Sequence, residues 1–390
     1  MKVAFFAFDI FSPSDTAGFV HTIEITQKIA SIVDLKLFVA PSFNRALNPF
    51  LWEERIEGLD INYARFTLWF KPYLIPFIPF NFLSYYLVYK KTKQFHPDII
   101  HERFHSPNPF GYRISRKIDV PRILEVNSPY IEDEAYKNPL FQKIAEKDRK
   151  QQFEHADAII TQTETLKKII AKATDVPIYV VPNGVNTKKF KPGDSSELRN
   201  KLGIPEDAVV ITFSGSFRKW HGVHLIPKIA ERLNKSHNNV YFLMTGSGQL
   251  LEKIKNSGMK NTIFLGSVNF SMLPAYLNIS DICIAPFDAS EFKYFENLGF
   301  WWNPLKLFEY LGMGKPVVSF DFDEVRKIVR NAGLLARPGD LNDFIEKLDY
   351  LIDNKKERDR LGNNARELAL KEYDWEERAK ETVKIYQKVL

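Results

Sequence analysis

Pro182-Asn-Gly-Val-Asn-Thr-Lys-Lys-Phe-Lys-Pro-Gly193 interrupts a steady alternation of strand-like and helix-like sequence, and the alternation starts afresh beyond it. Prolines, glycines and asparagines crowded into one short stretch are turn chemistry, so a domain boundary falls near 183–195. On the N-terminal side, Lys2–Phe8, Asp34–Ala40, Asp98–His101, Arg122–Val126, Ala156–Thr161 and Ile178–Val181 read as strands. Between them Val20–Ile32, Phe82–Thr92, Phe141–Phe153 and Glu164–Ala173 have helical apolar spacing. On the C-terminal side the strands are Val209–Phe213, Val240–Met244, Thr262–Leu265, Asp281–Ala285, Pro316–Phe320 and Gly333–Ala336, each separated by a helical stretch. Strands alternating with helices predict an α/β fold of two Rossmann-like, doubly wound domains, 1–185 and 186–374. The last helix, Trp375–Val389, is long enough for 375–390 to pack back on the first domain.

The chain has 390 residues, 45% apolar and 26% charged, with no fixed-period repeat and no low-complexity tract. That composition excludes disordered, collagenous and solenoid classes. The single cysteine, Cys283, lies in the apolar run Ile282-Cys-Ile-Ala285 and reads as a buried thiol. Met1-Lys-Val-Ala-Phe-Phe-Ala-Phe8 is too short for a secretory core, and a cytoplasmic protein is expected. The net charge of +6 suits an anionic ligand or surface. Its basic residues are scattered, not striped along one helix, so no nucleic-acid partner is expected.

Asn303-Pro-Leu-Lys-Leu-Phe-Glu309 reads as a helix start built for an anion. Asn303 is a suitable N-cap and Pro304 a suitable first helical residue, leaving the amides of Leu305 and Lys306 outward with the positive helix end. Glu309 shares the face of Lys306 three residues on. Lys306 offers charge to a diphosphate, and the Glu309 carboxylate can accept from a vicinal diol such as a ribose. An ordinary amphipathic helix with Leu305, Leu307 and Phe308 packed inward would use the same residues. A second loop, Ser214-Gly-Ser-Phe-Arg-Lys-Trp-His-Gly222, follows a buried strand. There Gly215 permits close backbone approach beside Ser216, and Arg218 or Lys219 can pair with the same diphosphate. Near the start of the chain, Gly18 ends a loop whose amides can face a phosphate or sugar; its lone glycine is not a GxGxxG.

Four segments together resemble the retaining glycosyltransferases of family four (group 1). They are Val181-Pro-Asn-Gly-Val-Asn186 through Phe190, Gly215-Ser-Phe-Arg-Lys-Trp-His-Gly222, Pro304-Leu-Lys-Leu-Phe-Glu-Tyr310 through Gly314-Lys-Pro-Val-Val318, and Ala332-Gly-Leu-Leu-Ala-Arg-Pro-Gly-Asp340. Gly246-Ser-Gly248, Phe264-Leu-Gly-Ser-Val268 and Ser280-Asp-Ile-Cys-Ile-Ala-Pro286 fill the gaps in order. The resemblance implies the GT-B fold, two Rossmann-like domains facing a cleft. It also implies a nucleoside-diphosphate sugar held by the C-terminal domain and a glycan or lipid-linked acceptor docked on the N-terminal one. By position, Glu309 would bind the ribose, Arg218 and Lys306 the diphosphate, the backbone around Val268 the base, and Gly18 the donor phosphates or sugar.

The chain departs from that pattern at two places. Trp301 stands where the family has the first of two glutamates, so the transferred sugar must be recognised otherwise, by the backbone of Asn303–Leu305 or an aromatic of Phe292–Trp302. In Glu125-Val-Asn-Ser-Pro129, Asn127 stands where many relatives have histidine; it can hydrogen-bond a sugar hydroxyl but cannot shuttle a proton. Glu125, Glu132 and Glu134 are nearby carboxylates able to take the acceptor's proton. Same-face attack, in which the leaving phosphate takes that proton, needs no such base. The resemblance places catalysis on Lys306, Arg218, Asn127 and Glu125, with no metal or other cofactor. Asp321-Phe-Asp323 reads as a turn and helix start, and the histidines have no zinc spacing. The aromatic, lysine-flanked segment 66–93, broken by Pro72, Pro76 and Pro79, can lie against a bilayer surface but cannot span it, which would put the protein at the inner face of the membrane. The alternative is a non-catalytic sugar-nucleotide or glycan-binding protein of the same fold.

Overall fold

Strand Lys2–Ser12 (β1) carries the unbroken run Val3-Ala-Phe-Phe-Ala-Phe8, buried on both faces, which is the pattern of a central parallel strand. A computed structural model describes residues 1–12, 16–41, 53–56, 58–63, 78–106, 108, 110–129 and 138–390. These form two compact units, Met1–Pro182 with Trp375–Leu390, and Asn183–Asp374. The break falls at Pro182, ahead of the expected residue 185, because Asn183 is tied into the second unit. Its amide donates to Asn303 Oδ1 at 2.7 Å and its Nδ2 to the Asn303 carbonyl at 2.6 Å.

In the first unit the strands after β1 are Asp34–Pro41 (β2), Glu53–Ile56 (β3), Leu59–Tyr63 (β4), Ile99–Arg103 (β5), Arg122–Val126 (β6), Ala158–Thr161 (β7) and Ile178–Val180 (β8). Among the described residues they form a sheet in the order β3-β4-β2-β1-β5-β6-β7-β8, parallel except for the antiparallel β3–β4 edge. The order reverses beside β1, the switch point at which a doubly wound sheet opens a crevice beyond its strand ends. The Trp375–Val389 helix belongs to this unit. Trp375 meets the His21 ring edge-on at 5.4 Å, Glu376 pairs with Lys28 at 3.2 Å, and the Tyr386 hydroxyl lies 2.6 Å from His101 Nδ1.

The sequence reading missed the β3–β4 hairpin, whose β3 is only Glu-Glu-Arg-Ile, and the Phe110–Ile118 helix. That helix is short and rich in Arg and Lys, yet buries Phe110 and Ile114 against Phe6, Phe8 and Val88. Residues 66–77 of the membrane-proximal expectation, with Glu132 and Glu134, lie outside the described residues. Ile78–Phe95 is a helix. Among the described residues no helix is long and apolar enough to cross a membrane.

The second unit holds Val209–Ser214 (β9), Val240–Thr245 (β10), Thr262–Gly266 (β11), Ile282–Ala285 (β12), Val317–Phe320 (β13) and Gly333–Ala336 (β14). These are all parallel, in the order β11-β10-β9-β12-β13-β14. Here the switch point is β9, fully buried, and its C-terminal end leads into Gly215. Cys283 is buried in β12, where desolvation pushes its thiol up to about 12 and leaves it inert.

Candidate functional site

The end of β9 and the Leu305–Gly312 helix are fastened together by Tyr310. Its buried hydroxyl accepts from the Ser214 amide at 2.8 Å and lies within 3.5 Å of the Ile284 carbonyl. This fixes the first turn of the helix against the loop after β9, so that the Lys306 side chain from that turn reaches Gly215. Gly215 has φ +140, and a Cβ there would collide with Lys306 Nζ. Gly246, at φ +127, is needed for the same reason one strand over, because a Cβ would strike the Gly215 carbonyl.

Lys306 is buried in this corner. Its Nζ sits 3.0 Å from His221 Nδ1, 4.2 Å from the centre of the Phe213 ring and 5.6 Å from that of Phe287. Burial lowers its pKa to about 7, against the opposing pull of Glu309. On the other side of the imidazole, His221 Nε2 is 3.0 Å from Ser216 Oγ. Burial, with Lys306 and Arg218 nearby, lowers the His221 pKa to about 2, so the ring is neutral. Edge-on contact with Trp302 at 4.9 Å holds it in place.

The expected cap geometry is corrected. Pro304, extended at ψ 122, occupies the N-cap position without a side-chain cap bond, and the helix begins at Leu305. Asn303 cannot cap because its Oδ1 is already taken by Asn183. Glu309 lies one turn beyond Lys306 and is 9% exposed. Arg218 is exposed, its guanidinium 5.0 Å from the Trp220 ring centre. Lys219 is the alternative that the structure disfavours, since its Nζ is paired with Glu291 at 2.9 Å. Val268 is half-buried in the loop after β11. His221 and Tyr310, which sequence reasoning did not place in the site, are the groups that join it. Only the His-Gly222 dipeptide hinted at the first.

The Phe292–Trp302 stretch packs as an aromatic cluster, with Phe295 between Phe292, Phe300 and Trp301 at centroid distances of 4.8, 4.9 and 5.5 Å. Trp301, in the place of a glutamate, is buried in it. His224, Asp288 and Glu291 come within 4.8 Å of one another, a grouping able to hold a cation, but His224 is paired with Asp288 and Glu291 with Lys219. Both carboxylates of Asp321-Phe-Asp323 are engaged by Arg326.

In the first unit, the ends of β1, β5 and β6 assemble a second polar cluster. Arg103 donates to Asp9 at 3.0 Å and to Glu125 at 2.8 Å; His21 Nε2 lies 2.9 Å and His101 Nε2 3.2 Å from the same Glu125 carboxylate. Asn127 Nδ2 donates to it at 2.6 Å. Burial alone would raise the Glu125 carboxyl, but His21 and Arg103 override that and hold it well below the usual range. The expectation that Glu125 can act as a base is therefore corrected: it is an ionised, saturated acceptor. Asn127 Oδ1 is buried and, among the described residues, has no hydrogen-bond partner, while Nδ2 is the atom that meets Glu125. Gly18 stands where a Cβ would meet Ile10 Cδ1 at 2.8 Å, with Arg103 Nη2 at 3.8 Å.

Two doubly wound parallel-sheet units, the second with a glycine turn and buried lysine at its switch point, define a GT-B protein. Solved structures agree on the fold. Sucrose-phosphate synthase from Thermosynechococcus elongatus superimposes with a TM-score of 0.78 at 14% identity, covering 100% of this chain and 98% of that one. Anabaena HepE in complex with UDP and glucose gives 0.74 at 16%, covering 99% of each. The family described as Glycosyl transferases group 1 matches residues 194–368, and that described as Glycosyltransferase Family 4 matches 39–189. This chain belongs to the family-four, group 1 glycosyltransferases. Among curated relatives, an uncharacterized glycosyltransferase from Methanocaldococcus jannaschii is 24% identical over 58% of the chain. The alpha-D-kanosaminyltransferase of Streptomyces kanamyceticus is 20% identical over 72%, and the D-inositol 3-phosphate glycosyltransferase of a Nocardioides strain 27% over 60%. The matches span 59%, 74% and 54% of those proteins' own lengths, less than two thirds for two of the three.

Proposed function

We propose that the protein is a retaining glycosyltransferase that moves a sugar from a nucleoside-diphosphate sugar to a glycan or lipid-linked acceptor without a metal. The observation that carries this reading is the buried Lys306 ammonium, joined to His221 and Ser216 beside Gly215 at the start of a helix. A buried cation carried on the first turn of a helix, whose leading amides have no partners within the helix, suits a divalent anion, and a leaving diphosphate is such an anion. Lys306 and the exposed Arg218 neutralise it as the glycosidic bond breaks, while Glu309 accepts the ribose hydroxyls and the loop at Val268 faces the base. The acceptor hydroxyl attacks from the side the diphosphate leaves, and its proton passes to a diphosphate oxygen. This route fits a Glu125 too fully engaged to act as a base. For the first unit, on the same reading, Asn127 makes a hydrogen bond with a sugar hydroxyl and the backbone at Gly18 meets a phosphate or sugar. The alternative, a binding protein without turnover, is distinguished by assay alone.

The reading is tested with UDP, GDP, ADP, TDP and CMP in a thermal-shift panel. A nucleoside diphosphate that binds only the folded state at a hundred times its Kd stabilises by about 2.7 kcal/mol. One of the diphosphates should raise Tm, and Glu309→Ala should weaken that response. A panel without any shift would remove the donor site. Sugar release or transfer that survives EDTA would support metal independence, and none with any donor would favour the binding protein.

A further inference from the structure

We propose that His221 is a positioning residue of the donor site, holding the Lys306 ammonium on one face and aiming the Ser216 hydroxyl with the other, so that donor binding takes up a proton at Lys306 and weakens as pH rises. The inference rests on the donor reading above and adds to it a group and a pH response.

A neutral imidazole has one donor nitrogen and one acceptor nitrogen, and the partners decide which is which. When Lys306 is charged, all its hydrogens are donors, so Nδ1 at 3.0 Å must accept. Nε2 then carries the hydrogen and donates to Ser216 Oγ at 3.0 Å. With its oxygen accepting from the ring, the half-exposed Ser216 has its own hydrogen left to give, and a phosphate oxygen is the acceptor it suits. If Lys306 is neutral, nitrogen lone pair and ring hydrogen can exchange roles, and Ser216 no longer has a fixed direction. One proton on Lys306 thus sets the polarity of the whole chain of bonds.

The surroundings make that proton sensitive to a ligand. Facing Lys306 are the uncharged His221 from the turn after β9, the rings of Phe213 and Phe287, and Glu309 on its own helix. Arg218 adds a positive neighbour to His221, and the hydroxyl of Tyr310 is committed to Ser214. Among the described residues, no carboxylate reaches Nζ at ion-pair distance. Burial therefore prevails, and the lysine loses its proton near pH 7. A diphosphate in contact supplies the missing negative charge and restores it. The imidazole cannot take over as the cation, since its own protonation is suppressed to about 2.

The test is calorimetric binding of UDP-glucose, with GDP-mannose as second probe, at pH 6.5 and 8.5; the diphosphate diester of either keeps its charge across that range. Wild-type affinity should fall on the order of tenfold between the two pH values. Lys306→Arg, whose cation does not titrate there, should bind with a flat profile. His221→Leu should weaken binding at pH 6.5 by about tenfold, and His221→Gln, which offers an acceptor and a donor, should recover part of it. A flat wild-type profile would overturn the inference, as would a His221→Leu protein that binds like wild type at both pH values. If His221→Leu does not fold, the wild-type and Lys306→Arg profiles still decide. Binding of neither probe by wild type at either pH would overturn the donor reading and this inference with it; a flat profile with good affinity overturns this inference alone.

Discussion

Each unit buries charge at the carboxyl ends of its central strands, and the two treat it in opposite ways. In the first, the Glu125 carboxylate has Arg103, His21, His101 and Asn127 around it, and Arg103 is shared with Asp9. In the second, the Lys306 ammonium has one neutral imidazole and two aromatic faces. Desolvation penalises both; partners within the fold outweigh it for Glu125, whereas for Lys306 the pull of Glu309 does not. A saturated buried charge belongs to the architecture, whereas an under-partnered one is a place where a ligand's charge does the offsetting.

The largest expected effect breaks the saturated cluster. Arg103→Leu leaves the Glu125 and Asp9 carboxylates without their cation and should destabilise the first unit by about 3–5 kcal/mol. Hydrogen exchange over β5 and β6 reads this separately from the second unit; a change below about 1 kcal/mol would mean that the cluster is not structural. The pH dependence has a definite sign. Since the folded Glu125 is held well below its unfolded value, it stabilises at all pH values above roughly 4 and loses that contribution only as acid protonates it.

Lys306→Met should act in the reverse direction. An apolar side chain of similar length removes the desolvation penalty, so the second unit should gain about 1–4 kcal/mol at pH 6 while nucleotide binding is lost. In wild type the lysine pKa is lowered on folding, to about 7 from an unfolded value near 10.4, so the unfolded state binds more protons between the two. Wild-type stability from this group should therefore rise with pH from about 7 to 10, and the rise should be absent in Lys306→Met. A variant less stable than wild type at pH 6 would show the lysine to be an ordinary packing residue.

What the sequence disclosed of these sites divides along the distance over which partners meet. Lys306 and Glu309 are three residues apart on one helix, so their shared face follows from helix geometry, and Gly215 follows from a turn after a buried strand. The fold was legible for the same reason, since apolar runs such as Val3–Phe8 report burial locally. Asn303 misled because its capping preference is local while its actual partner, Asn183, is 120 residues away. His221 meets Lys306 across 85 residues and Glu125 meets His21 across 104, and no spacing rule reaches that far. Glu125 therefore read as a candidate base until its neighbours were placed.

The smallest effect compares two buried tyrosines. Tyr310 and Tyr386 both keep their hydroxyl protons, because burial raises each well above the usual value. Tyr386 bonds His101 in the saturated cluster, whereas Tyr310 bonds the Ser214 amide and so carries the register between β9 and the Lys306 helix. Tyr386→Phe removes its bond to His101, and Tyr310→Phe removes the bond from the Ser214 amide together with the longer ones to the Ser214 and Ile284 carbonyls; each should cost about 1 to 2 kcal/mol in its own unit. Their effects on nucleotide affinity should differ. Tyr310→Phe frees the loop that carries Gly215 and Ser216 and should weaken binding severalfold, while Tyr386→Phe should leave it unchanged. Because the two changes are chemically identical and similar in stability, a difference in affinity isolates positioning from folding. Equal affinities would mean that the helix start, not its tie to β9, organises the site.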